Sequence, residues 1–327
     1  MQTYTEVRHT NRLDLAAVAP LPKPLAIYIE PTNICNFSKQ CFFCAQHTAD
    51  YHERAGYRQH IEMATVEKVI ADIKEMGGVK SIKLHFIGEG TLHPQIAEIA
   101  RLARTVSDDV MLTTNGTGLT PKLCDALLES GLNFIRVSLY EETTPVMQDK
   151  IFMNVIYLRE RRNACKSPLR IVAKWLSPSP LFHDWARRIY TGVADELLYE
   201  NLRNFSSAFV AIDTLVDHAA IKGDQKACAL PFYQLIVKAN GDVAPCCVAW
   251  DQVLNIGNVM QESLLDIWHG PKLAHIHRLH LEGRRKEFST CASCETLWTN
   301  KDSIDALTVA EYDRRREDGA AEEVFGI

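Results

Sequence analysis

At 327 residues the chain is long enough for one large domain and a small one, with a substantial buried core. Its 46% apolar and 24% charged composition is that of an ordinary globular protein, and a net charge of −5 offers no basic face to a nucleic acid. No apolar run approaches the roughly 20 residues of a membrane span, and the N-terminal MQTYTEVRHTNR lacks the apolar centre of a secretion signal. Neither a nucleic acid nor a membrane is an expected partner. Ten cysteines without such a signal point to a reducing, cytoplasmic setting, where they serve as metal ligands rather than disulfides.

Residues 1–24 read as a polar leader ending in the proline-rich Ala19-Pro20-Leu21-Pro22-Lys23-Pro24, which suits an extended entry into a strand over 25–29. Cys35, Cys41 and Cys44 follow in a C-x5-C-x2-C run. The next segment, 46–62, is polar and holds His47, His52, His60, Arg54 and Arg58; it reads as a solvated surface loop, with a substrate lid as the alternative. From Thr65, a candidate helix cap, apolar positions Val66, Val69, Ile70 and Ile73 repeat at helical spacing up to Gly77-Gly78. Strands are then expected over 81–87, 110–114, 133–139, 169–175 and 196–199, separated by helices over 94–106, 121–130, 146–164 and 181–190. Six strands alternating with helices predict parallel βα units in an incomplete barrel, open along one side.

Near 206–225 the alternation stops. Asn240-Gly241 between two apolar runs signals a hairpin, and helices are expected over 263–268 and 272–281. The charged end, 313–323, is expected to fray. The predicted organisation is therefore a leader (1–24), a partial (β/α)6 barrel of the α/β class (25–210), a small C-terminal α+β unit (211–300) and a helix with a charged tail (301–327).

The chemistry-bearing motifs fall at the carboxyl ends of the predicted strands, where parallel βα folds bind ligands. Three thiolates are too few for a closed zinc site or a fully ligated iron–sulfur cluster, yet suit a cubane with one iron left open. Ile87-Gly88-Glu89-Gly90 ends the second strand, Thr113-Thr114-Asn115-Gly116 the third, and Ser138 the fourth. A second set, Cys228-x17-Cys246 with Cys291-x2-Cys294, supplies four thiolates, enough for zinc or for a [4Fe–4S] cluster. Cys124 reads as a core residue and Cys165 carries no signal. Cys247, beside Cys246, is either a buried neighbour or a reactive thiol.

The first cysteine run, with Gly88-Glu89 and Leu92-His93-Pro94, resembles the radical S-adenosylmethionine (SAM) enzymes, whose usual spacing is C-x3-C-x2-C. The second set resembles their SPASM and Twitch auxiliary-cluster modules, and its four cysteines match the shorter Twitch form. The resemblance implies that Cys35, Cys41 and Cys44 hold a SAM-binding [4Fe–4S] cluster. It implies that Phe43, Gly88, Glu89, Thr113, Asn115 and Ser138 contact SAM, and that Cys228, Cys246, Cys291 and Cys294 hold a second [4Fe–4S] cluster. Glu89 matches the position that binds the amino group of SAM, although Ile87 replaces the first glycine of the motif. The implied chemistry is cleavage of SAM to a 5′-deoxyadenosyl radical, fed by an electron donor such as flavodoxin or ferredoxin. The expected substrate is a small polar molecule (sugar, aminocyclitol or nucleoside), most simply dehydrogenated at an alcohol carbon with the second cluster taking the electron. Epimerisation with Cys247 as hydrogen donor, sulfur insertion and ribosomal-peptide modification are the alternatives within the family. Outside it, a zinc-binding scaffold remains.

Overall fold

The computed structural model describes residues 3–6, 13–38, 40–177, 179–200, 224–299 and 302–318. Ten strands form one sheet: β1 (Thr3–Glu6), β2 (Ala26–Ile29), β3 (Ser81–Leu84), β4 (Val110–Thr114), β5 (Phe134–Leu139), β6 (Arg170–Leu176), β7 (Glu196–Glu200), β8 (Gln234–Val237), β9 (Asp242–Ala244) and β10 (Gly257–Asn258). Their order is β1-β7-β6-β5-β4-β3-β2-β8-β9-β10. The six expected strands, β2 to β7, lie side by side in chain order and all parallel. The sheet does not close: β1 and β10 form its two edges. This is the partial barrel that the alternation predicts.

The outer helices form where apolar residues recur every three to four positions. α1 (Met63–Glu75) buries Val66, Val69, Ile70 and Ile73. Gly77 and Gly78, at φ +72° and +84°, then stop it, with Gly78 N–H donating to Ile73 O at 2.8 Å. α2 (Ile96–Ala103), α3 (Pro121–Glu129), α4 (Pro145–Ala164) and α5 (Pro180–Tyr190) each follow a strand. Proline occupies the first turn of the last three, where its missing N–H costs nothing.

Four expectations need correction. The helix cap is Glu62 rather than Thr65, which lies buried in the first turn. β3 ends at Leu84 instead of 87, because the chain bends over residues 86–88 to deliver the glycine motif. Segment 46–62 is neither a solvated loop nor a lid. It contains a helix, Tyr51–Ala55, and buries Gln46, Tyr51, Tyr57 and Ile61 beneath the cysteine loop. Asn33 clamps it, donating from Nδ2 to Tyr57 O at 2.7 Å and accepting from Gln59 N at 2.9 Å. Finally, the leader is not featureless: Thr3–Glu6 adds a parallel strand beyond β7. The break expected near 206–225 lies, up to residue 223, outside the described residues.

The Asn-Gly hairpin forms as expected, with Gly241 at φ +85° and β8 antiparallel to β9. Unexpectedly, β8 also pairs in parallel with β2, from Ala26 opposite Gln234 to Ile29 opposite Val237. All eight residues of these two strands are buried. The C-terminal unit is thus a continuation of the barrel sheet. Behind it lie α6 (Leu264–His269), α7 (Pro271–Leu281) and α8 (Val309–Glu317).

His277 joins these last elements. Its ring stacks on Phe232 with centroids 4.1 Å apart. Nε2 is 2.8 Å from Pro231 O, which can only accept, so Nε2 carries the proton and Nδ1 accepts from Tyr312 OH at 2.6 Å. Burial holds this imidazole down to a pKa of about 4, against 6.5 when exposed. The folded ring is therefore neutral at pH values where the unfolded chain binds its proton. Its contribution is complete above pH 6.5 and is lost as pH falls towards 4, by roughly 3 kcal/mol. Urea midpoints measured from pH 7 to pH 4 should fall less steeply for His277→Gln than for the parent; parallel slopes would refute this account.

Candidate active site

The chain leaves β2 at Ile29 and enters the loop bearing Cys35, Cys41 and Cys44. Three tethers hold this loop over the barrel mouth. Glu89 N–H donates to Ile34 O at 2.9 Å. Gly88 packs so closely under the loop that a Cβ would lie 1.9 Å from Thr32 O, leaving room for glycine only. Asn36 joins a closed triangle: its Nδ2 donates to Thr117 Oγ1 (2.9 Å), Thr117 Oγ1 to Asn115 Oδ1 (2.7 Å), and Asn115 Nδ2 to Asn36 Oδ1 (2.8 Å). Asn36 belongs to the stretch between the first two cysteines that is longer than the usual spacing, so those residues do structural work.

Below the loop opens a cavity of ≈570 Å³. Cys35, Cys41, Cys44, Phe43, Gly88, Glu89, Thr113, Asn115 and Ser138 all line it. All the residues expected to hold the first cluster and SAM are therefore brought to one cavity. Glu89 is fixed by four donors. Oε1 accepts from Thr91 N (3.1 Å), Thr91 Oγ1 (2.6 Å) and Thr114 Oγ1 (2.6 Å), and Oε2 accepts from Asn115 N (2.6 Å). Oε2 retains capacity for one more donor. Asn115 spends its amide on the triangle, whereas Thr113 Oγ1 is buried without a partner. Burial, reinforced by neighbouring acidic groups, pushes the Cys35 thiol up to about 12, and burial pushes Cys44 up to about 11. Cys41 is raised for the same reason. Such thiols ionise only against a metal cation, and a trio of them beside an open acceptor suits an iron cluster with a chelating amino acid.

The second cysteine set lies across the cavity. Cys228, Cys246, Cys291 and Cys294 line one enclosed, apolar pocket with His280 and Arg285. His280 Nδ1 accepts from Cys228 N at 3.1 Å, which leaves the proton on Nε2, 3.8 Å from Cys291 Sγ. Arg285 Nη1 donates to Cys291 O and brings positive charge beside the thiols. Burial raises all four, Cys291 to about 12. Among the described residues no three His, Cys, Asp or Glu side chains converge tightly enough for a single metal ion. The four thiols instead surround a gap, and their number and softness suit a cluster.

Leu230, Val248 and Thr296 line both this pocket and the large cavity. The adjacent pair Cys246 and Cys247 divides between the two: Cys246 faces the pocket, Cys247 the cavity. Burial, then the nearby Cys294, raises the Cys247 thiol to about 11. Cys124 is buried in the core and Cys165 is exposed.

The cavity wall also carries polar residues that were not anticipated as part of a site, among them Tyr28, Lys83, His85, Arg136, Lys174 and Glu200. The available signal was a cation inside otherwise apolar strands, Arg136 in FIRVSL and Lys174 in RIVAKWL, since buried parallel strands normally run apolar.

Comparison with known proteins matches this geometry. Residues 29–145 match the radical SAM superfamily, and residues 228–295 match the SPASM iron–sulfur cluster-binding domain. Residues 29–145 thus form a radical SAM domain, which implies SAM with a [4Fe–4S] cluster, and residues 228–295 a SPASM-type module, which implies further iron–sulfur. A probable GTP 3′,8-cyclase of Metallosphaera sedula is 32% identical over 146 residues, 43% of this chain and 43% of that protein. An S-adenosyl-L-methionine-dependent 2-deoxy-scyllo-inosamine dehydrogenase of Niallia circulans is 28% identical over 71 residues, 22% of this chain and 28% of that one. This radical SAM chain thus spans less than half the length of either relative. BtrN, crystallised with AdoMet and 2-DOIA, shares the fold, with a TM-score of 0.56 at 17% identity over 83% of this chain and 92% of its own. No described helix is long and apolar enough to cross a membrane.

The contact at Gly88 gives a direct test. Gly88→Ala should displace the cysteine loop, destabilise the fold by about 1–3 kcal/mol and lower the iron bound per chain after anaerobic reconstitution. Unchanged iron content and an unchanged urea midpoint would show the contact to be dispensable.

Proposed function

We propose that this radical SAM chain is an oxidoreductase that removes hydrogen from an alcohol carbon of a small polar substrate, a sugar, aminocyclitol or nucleoside, held in the ≈570 Å³ cavity. Cys35, Cys41 and Cys44 hold the SAM-binding cluster, and Cys228, Cys246, Cys291 and Cys294 hold the second. Phe43, Gly88, Glu89, Thr113 and Ser138 receive SAM, with the last acceptor position of Glu89 Oε2 turned to its ammonium group. Asn115 acts by positioning, through its hold on Asn36 and Glu89. When bound, the first cluster and SAM supply a 5′-deoxyadenosyl radical that takes a hydrogen atom from substrate carbon, and the second cluster supplies an electron acceptor.

The observation that carries the reading is the shared wall. Among the described residues, Leu230, Val248 and Thr296 line both the four-thiol pocket and the cavity that the first three cysteines line. A shared partition suits electron transfer out of a substrate radical. The dehydrogenase relative and the fold shared with BtrN support the same reading. An external one-electron donor such as flavodoxin or ferredoxin completes the cycle.

A second reading has its own support: Cys247 is on the cavity wall, where a thiol could return a hydrogen atom to the substrate radical and invert the carbon. Three experiments test these readings, the first two the radical chemistry itself and the third its outcome. Anaerobic analysis of reconstituted protein should find about eight irons per chain, the count of two [4Fe–4S] clusters. Replacing Cys35, Cys41 and Cys44 by Ala should abolish reductant-driven SAM cleavage; a colourless zinc protein, or cleavage that survives, would sink the radical reading. Cys247→Ala should leave an oxidised product unchanged, whereas loss of turnover together with solvent deuterium in the parent enzyme's product would establish epimerisation instead.

A further inference from the structure

The inner faces of β3, β5 and β6 carry three cations where such a barrel is normally filled by branched apolar side chains. Lys83 is the register partner of Tyr28, Arg136 of Thr113, and Lys174 of Ser138. All six line the cavity. Two acidic residues line it among the described residues. Glu200 pairs with Lys174 at 2.8 Å, both side chains only 15% exposed. Glu89 is held by four donors on the side of the glycine motif. With Glu89 thus occupied, the described lining sets three positive charges against the one carboxylate of Glu200.

Arg136 is the most telling of these. Its Nε is buried without a hydrogen-bond partner, and no ion pair of its guanidinium is found among the described residues. A guanidinium presents a fork of donors matched to two oxygens of one phosphate or carboxylate, and leaving it unmatched in a low-dielectric cavity is costly. His85 and Thr113, on the neighbouring strand-end positions, also keep buried polar atoms, Nδ1 and Oγ1, without partners. The wall is built to donate.

We propose that the substrate of this cavity is an oxyanion, a sugar or nucleoside bearing a phosphate or carboxylate group that docks on Arg136, flanked by Lys174 and Lys83. This rests on the radical SAM reading above and narrows it. An aminocyclitol, whose ammonium groups would face the same three cations with Glu200, among the described residues, as their remaining carboxylate, is disfavoured. SAM carries a carboxylate of its own, and the test must tell the two anions apart.

The probe is radiolabelled pyrophosphate in equilibrium dialysis against the anaerobically reconstituted full-length protein, with and without saturating SAM. Binding should persist with SAM present and weaken at least tenfold in Arg136→Gln and in Lys174→Met. Lys174→Met carries the test alone should Arg136→Gln fail to fold, as judged by circular dichroism. Three results overturn the proposal. They are no pyrophosphate binding, binding unaltered in both variants (an adventitious ion only), or displacement by SAM with a tenfold loss of SAM affinity in Arg136→Gln, which would assign the guanidinium to SAM's carboxylate. Iron content and dithionite-driven SAM cleavage are measured on the same preparation. If both are normal and pyrophosphate does not bind, the oxyanion proposal alone fails; if iron or cleavage is missing, the radical reading fails first.

Discussion

The pairing of β8 with β2 is the contact on which the arrangement of the site depends. β2 feeds the loop with the first three cysteines, and β8 turns through Asn240-Gly241 into β9, which leads directly to Cys246 and Cys247. Hydrogen bonding these two buried strands side by side fixes the hairpin that carries Cys246 and Cys247 against the strand that feeds the first cysteine loop. Glu30, wholly buried at the end of β2, reinforces the junction: its Oε2 accepts from Tyr57 OH at 2.5 Å and from Ala239 N at 3.0 Å. Without the pairing, the two sets would be unrelated metal sites on one chain. With it, the cavity of the first set and the pocket of the second share Leu230, Val248 and Thr296 as lining.

Much of this was legible beforehand because it is local. Strand–helix alternation gave the barrel, proline and glycine marked helix starts and stops, and the Asn-Gly turn gave the hairpin. Cysteine number and spacing gave two metal-binding sets. What escaped was set by long-range contact. Residues 46–62 are rich in His and Arg, which stay exposed or half-buried, yet Tyr51, Tyr57 and Ile61 anchor the segment in the core once Asn33 offers a clamp. The parallel partner of β2 lies some two hundred residues away, which no local period reveals. Thr65 lost its capping role because Glu62 starts the helix one turn earlier. The cationic wall was missed because Lys83, Arg136 and Lys174 sit on three different strands and form a group only when the strands are aligned in register.

The chamber is satisfied in one part and not in another. The Asn36–Asn115–Thr117 triangle and the four donors to Glu89 form one network that ties β3, β4 and the cysteine loop together. Arg136, His85 and Thr113 keep buried polar atoms without partners. Pre-organised around Glu89 and unsatisfied around Arg136, the chamber concentrates its demand for a ligand where the cations lie.

The division of Cys246 and Cys247 between pocket and cavity arises where the chain leaves β9 and turns, with Ala249 N donating to Cys246 O at 3.2 Å. This turn, rather than the alternation of a strand, sends the two neighbouring thiols into different spaces. Anything that reshapes it therefore acts on both compartments together, through one sulfur in each.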